Sequence, residues 1–99
     1  MIFEVARINV KAGMTREFED NVSKATPLFL RAKGCQGIEL QRSIERDNGY
    51  LLIVKWQTLE NHTVDFRGSE DFQQWRQLVG HCFEGAPQVE HSLTIIKAP

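Results

Sequence analysis

Tyr50 to Trp75 reads YLLIVKWQTLENHTVDFRGSEDFQQW, and this stretch decides the fold. It opens on a strand, Tyr50 to Gln57, with Tyr50, Leu52, Val54 and Trp56 on one face and Leu51 and Ile53 on the other. Apolar residues on both faces need cover on both sides. Thr58 then caps a short helix ending at Gly68. Ser69 caps the next helix, whose first turn carries Glu70 and Asp71 near the positive end of its dipole. A chain of 99 residues has helices enough to cover one side of such a sheet. The other cover is expected from a second copy of the chain.

Working outward, Ile2 to Val10 alternates as a first strand, with Phe3 and Val5 on one face and Ala6, Ile8 and Val10 on the other. Lys11-Ala12-Gly13 breaks it, and Thr15 is placed to cap a helix. Phe18, Val22, Ala25, Phe29 and Ala32 form the buried stripe of that helix, with a kink or break expected at Pro27 and a left-handed stop at Gly34. Cys35 to Ile44 reads as the second strand, and Asp47-Asn48-Gly49 as the turn into the third. Phe72, Trp75, Val79, Cys82 and Phe83 make the stripe of the last helix; Gln88 to Lys97 is the last strand. The order β-α-β-β-α-β, with the second helical region split at Gly68-Ser69, predicts one α+β domain over residues 1–99. Its fold is ferredoxin-like, an antiparallel four-stranded sheet with both helical regions on one face. The open face predicts a homodimer packed sheet against sheet.

Composition narrows the function. Twelve Lys and Arg against thirteen Asp and Glu leave no basic footprint, which argues against nucleic-acid and anionic-membrane partners. The apolar runs are too short to span a bilayer, and MIFEVARINVK carries charge too early for a signal peptide. Cys35 and Cys82 form no CxxC pair and read as free thiols of a reducing cytoplasm. The three histidines lack metal-ligand spacing, so no metal is expected.

On Gly34-Cys35, Trp56, FRGSEDFQQWR (Phe66 to Arg76) and PQVEH (Pro87 to His91), the chain resembles the antibiotic biosynthesis monooxygenase superfamily of dimeric α/β-barrel proteins. The resemblance covers nearly the whole sequence and implies the dimeric ferredoxin-like fold. It does not choose a reaction, because members differ in chemistry. Haem-degrading members rely on a first-strand Asn, a Trp before the helical Ser and a His in the last helix. Here Phe66 and Arg76 fall at the last two positions, and Asn9 lies beyond the first, which argues against haem degradation.

The resemblance implies a monooxygenase without cofactor, oxidising a small reduced aromatic (a quinol, anthrone or phenol) with dioxygen. Such a site needs a dry aromatic pocket, a base and a donor that stabilises the substrate anion. His91 shares parity with Val89, Leu93 and Ile95, so it is either a base or a packing histidine bonded to backbone. Arg76 either holds a phenolate or carboxylate, or pairs with Glu60 or Asp65. Arg7 is a second cationic candidate, or else part of a dimer-interface ion pair. Trp56, Phe66, Phe72, Trp75 and Tyr50 either stack a planar substrate or simply build the core. His62 reads as solvent-facing, with Val64 and Phe66 inward. Cys82 and His81, adjacent on a helix, should point apart and make no dyad. The alternatives are a non-catalytic dimeric module for an aromatic or acyl ligand, and an oxygen-independent isomerase or cyclase.

Overall fold

The computed structural model describes all 99 residues. Strand β1 (Ile2–Asn9) buries Ala6 and Ile8 and exposes Arg7 and Asn9, as its alternation requires. Helix α1 (Thr15–Leu30) buries Phe18, Val22, Ala25, Leu28 and Phe29. Two expectations for it are corrected. Met14, not Thr15, is the capping position, and no side chain bonds there. The turn through Gly13 (φ +83°) already places Thr15 in the helix. Nor does Pro27 break the helix. The carbonyl of Ser23, which a residue-27 N–H would have served, accepts from Thr26 Oγ1 at 2.8 Å instead.

Strand β2 (Cys35–Arg42) ends before Ile44, which is 94% exposed in the following loop. Of the expected turn residues only Asn48 takes positive φ, at 61°, and β3 (Gly49–Trp56) begins directly after it. A π-helical turn (Asn61–Phe66) precedes α2 (Glu70–Val79), where Ser69 Oγ accepts from the Phe72 N–H at 3.2 Å as its sequence position implied. A single 3₁₀ turn (Gly80–Cys82) leads towards β4 (Gln88–Ser92). That last strand stops short of Lys97 because Ser92 already pairs with Phe3, so β1 has almost no partner residues left to offer. Leu93, Ile95 and Ile96 are consequently exposed.

The four strands lie in the order β2-β3-β1-β4, every neighbouring pair antiparallel, with the helices on one face. This is the α+β, ferredoxin-like arrangement the sequence predicted. Trp56, Tyr50, Phe18 and Phe29, the first two from β3 and the last two from α1, are the largest fully buried side chains. Helix α1 packs on β2 and α2 packs on α1. The opposite face carries Phe3, Val5, Leu51 and Ile53, all only half-buried, with Val5 directly across from Ile53. No helix is long and apolar enough to cross a membrane.

Candidate active site

Glu4 shares strand parity with Ala6 and Ile8, so β1 carries a carboxyl group into the core, where it is 5% exposed. Trp56 Nε1 donates to Glu4 Oε1 at 3.0 Å, and His62 Nε2 lies 3.2 Å from the same oxygen. The His62 ring stacks on Trp56, with centroids 5.5 Å apart and planes within 14°. Its other nitrogen, Nδ1, sits 2.8 Å from His91 Nε2. Trp56 and Glu4 are thus hydrogen-bonded, as are His62 and His91, and the two pairs meet where His62 Nε2 lies close to Glu4 Oε1.

The π-helical turn delivers His62. Asn61 N–H donates to Thr58 Oγ1 at 3.2 Å while Thr58 N–H donates to Asn61 Oδ1 at 3.0 Å, a reciprocal cap. Arg67 N–H then reaches back to the His62 carbonyl at 3.1 Å, five residues earlier. The widened turn buries Asn61, His62 and Phe66 and leaves Val64 63% exposed. The expectation that His62 faces solvent and Val64 faces inward is therefore corrected.

Burial raises the Glu4 carboxyl to about 7, against the lowering pull of the Trp56 bond and the Arg67 charge. The same burial, with Arg67 and His91 adding to it, lowers His62 to about 4. His91 is lowered by burial and by Arg67. At neutral pH His62 is uncharged, so its approach to Glu4 is a close polar contact rather than an ion pair. Glu4 Oε1 therefore has one hydrogen bond, from the Trp56 N–H, and the His62–His91 bond can be made in either ring tautomer.

A cavity of about 550 Å³ opens between α2 and strands β1 and β4, with Glu4 and His62 in its lining. Its walls include Ala6, Ile8 and Leu52 from the sheet, Phe72 and Trp75 from α2, and Phe83, Pro87 and Val89 beyond. Arg67 and Arg76 also line it, and neither takes part in any ion pair of the chain. The cavity is mostly apolar, with one buried carboxyl group and two free guanidinium groups. Such a space suits a small, mostly apolar ligand with a polar or ionisable group.

The family model for antibiotic biosynthesis monooxygenase matches residues 1–78. The chain belongs to the antibiotic biosynthesis monooxygenase family. A solved structure of a Bordetella bronchiseptica protein, described as an antibiotic biosynthesis monooxygenase, is 52% identical over 96% of this chain and 97% of that one, with a TM-score of 0.94. The Bacillus subtilis (strain 168) protein YczJ is 40% identical over 92% of this chain and 96% of its own. A point mutant of SnoaB, a cofactor-independent oxygenase from Streptomyces nogalater, superposes with a TM-score of 0.84 at 19% identity. That match covers 99% of this chain and 96% of SnoaB. At this distance the likeness to SnoaB is one of fold.

Within this family member, the sequence-predicted residues divide into three groups. Phe72, Trp75 and Arg76 line the cavity, and Arg76 lies 6.0 Å from the Phe72 ring centroid rather than beside Glu60 or Asp65. Trp56 and Phe66 stand behind the lining in one aromatic cluster with His62, and His91 joins through its bond to that ring. Tyr50 lies elsewhere: its hydroxyl donates to Glu19 at 2.5 Å and its ring packs on Phe18. Burial and the Glu19 bond push its phenol up to about 12. Arg7 is exposed on the open sheet face, away from the cavity. Sequence reasoning missed Glu4 and Arg67. The signal for Glu4 was present in its parity with Ala6 and Ile8; Arg67 had none, since its place depends on the π-helical turn.

Proposed function

We propose that this protein is a cofactor-independent monooxygenase that oxidises a small reduced aromatic, a quinol, anthrone or phenol, with dioxygen. The observation that carries the reading is Glu4: a buried carboxyl group in the cavity lining, with a pKa near 7 and a mostly apolar space in front of it. A base poised at the working pH is the efficient one for general-base catalysis. Glu4 removes a proton from the substrate, and Arg67 and Arg76 stabilise the resulting anion. The electron-rich anion reduces dioxygen and forms a carbon–oxygen bond. Protonation of the resulting peroxide by Glu4 and loss of water convert an anthrone methylene to a carbonyl. One oxygen atom ends in the product and one in water, and the substrate supplies all four electrons.

His91 bonds the His62 ring that lies against Glu4, so His91 serves as a positioning residue behind Glu4. The half-buried patch of Phe3, Val5, Leu51 and Ile53 supports a homodimer through the open sheet face. Sedimentation of Ile53→Lys against the unaltered protein tests the dimer: a monomeric variant supports it, and an unchanged assembly argues for another interface.

Oxygen uptake by metal-free protein with a panel of hydroquinones, anthrones and catechols tests the activity, with Glu4→Gln and His91→Ala in parallel. Uptake that Glu4→Gln lowers by about 10²-fold or more is expected of a lost general base. Ligand binding without uptake in any variant would replace the enzyme with a binding module. Product formed equally well without oxygen would make it an isomerase or cyclase.

A further inference from the structure

Beyond α2 lies a set of donor atoms that the cavity chemistry leaves unused. His81 and Cys82 occupy the 3₁₀ turn, and its tight winding brings the two adjacent side chains together, against expectation. Cys82 Sγ is 3.6 Å from His81 Nε2. Glu17, in the first turn of α1, reaches the same nitrogen. One ligand atom from each of the three residues lies within 4.8 Å of the other two. None of the three residues lines the cavity.

We propose that Glu17, His81 and Cys82 bind a thiophilic divalent cation of the zinc type, fastening α1 to the turn that follows α2. The donor set is one carboxylate oxygen, one imidazole nitrogen and one sulfur, the mixture that borderline-soft cations select. Geometry agrees for two of the three donors. A tetrahedral ion with metal–sulfur about 2.3 Å and metal–nitrogen about 2.0–2.1 Å sets those ligand atoms about 3.6 Å apart. That is the separation of Cys82 Sγ and His81 Nε2. The third donor has room to adjust, because the Glu17 and His81 side chains are 52% and 49% exposed. Glu17 swings outward to admit the ion, and water takes the fourth position.

Cys82 itself is fully buried, so the sulfur approaches the ion from the core side. Binding converts the thiol to a thiolate and releases its proton to solvent, which makes affinity fall as pH falls. Glu17, His81 and Lys11 are the charged or titratable groups around that sulfur. The consequence reaches the cavity. Gly80 opens this turn, Phe83, Gly85 and Pro87 follow it, and all four line the cavity wall, so the ion would pin that wall in place.

Cobalt(II) titration of the reduced full-length protein tests the site, with zinc(II) as competitor. A thiolate-to-cobalt charge-transfer band saturating at one equivalent and erased by zinc is expected. Glu17→Gln and His81→Gln, both at half-exposed positions, should fold normally and weaken binding by at least about tenfold, the scale on which even the outer partners of a metal matter. Cys82→Ala should lose the band. Zinc should also raise the thermal midpoint of the unaltered protein, and raise that of Glu17→Gln less at the same zinc concentration. Absence of the band overturns the site. So does a band that survives Cys82→Ala, or one unchanged in both Glu17→Gln and His81→Gln. None of these readouts depends on whether the protein consumes oxygen.

Discussion

Glu4 and His91 are direct cross-strand partners on β1 and β4, yet it is the His62 ring that joins them, 3.2 Å from one and 2.8 Å from the other. The sheet sets the two ends of this line and the turn after β3 inserts its middle. A buried carboxyl group without partners would be costly, and a buried charge more so. Here Oε1 accepts one bond, from the Trp56 N–H, and burial outweighs it, which is why the Glu4 carboxyl is raised to about 7.

Stability should record this line as two opposing pH effects. Folded Glu4 keeps a proton that the unfolded chain gives up between its ordinary 4.5 and about 7, so this group takes stability away as pH rises through that window. Folded His62 has lost a proton that the unfolded chain keeps between about 4 and its ordinary 6.5, so it adds stability as pH rises. Urea unfolding across this range should show Glu4→Gln gaining on the unaltered protein as pH climbs from 4.5 to 7, by on the order of 2 kcal/mol. His62→Gln should lose ground between 4 and 6.5. Parallel curves would mean that neither group is perturbed.

Trp56→Phe keeps an aromatic ring in the core and removes the N–H that holds Glu4 down. The carboxyl should then titrate higher than in the unaltered protein, and the alkaline-rising limb of the oxygen-uptake profile should move to higher pH with it. Carbon-13 NMR of the Glu4 carboxyl checks the shift directly. The lost bond should also cost about 1–3 kcal/mol in unfolding experiments.

Gly34 governs His62 from a distance. Its φ is +79°, and a Cβ there would sit 2.0 Å from Asn61 Oδ1, the atom that caps the turn carrying His62. Gly34→Ala should therefore destabilise the protein by about 2 kcal/mol or more, combining backbone strain with displacement of Asn61. It should also lower oxygen uptake while Glu4 and its strand stay unaltered. Circular dichroism melts beside uptake assays measure both effects.

Tyr50→Phe serves as the contrast. Loss of the bond to Glu19 should cost about 1 kcal/mol. Oxygen uptake should be unchanged, because the hydroxyl faces α1 and not the cavity. A fall in uptake with stability preserved would bring Tyr50 back into the site.

Much of the candidate site was legible in residue period: strand parity pointed to His91 and the helical stripe to Phe72, Trp75 and the adjoining Arg76, because strands and α-helices keep a fixed period. Glu4 obeyed the same rule and was overlooked, since an acidic residue in an amphipathic strand is ordinarily solvent-facing. His62 could not be found in this way. Its side-chain direction depends on a turn closed over five residues, and no apolar period marks such a turn. Pro27 shows a similar limit: what keeps the helix whole is the Thr26 hydroxyl taking the orphaned Ser23 carbonyl.

The sequence by itself determined the β-α-β-β-α-β order, the hairpin, the two-faced strand β3 and family membership, because these follow from local period, turn chemistry and shared motifs. Only the tertiary structure decided that Trp56 bonds Glu4, that His62 lies between Glu4 and His91, and that Glu17 meets His81 and Cys82. Those residues are brought together by register and helix packing. Burial then sets their protonation, and burial belongs to the assembled fold rather than to any segment of the chain.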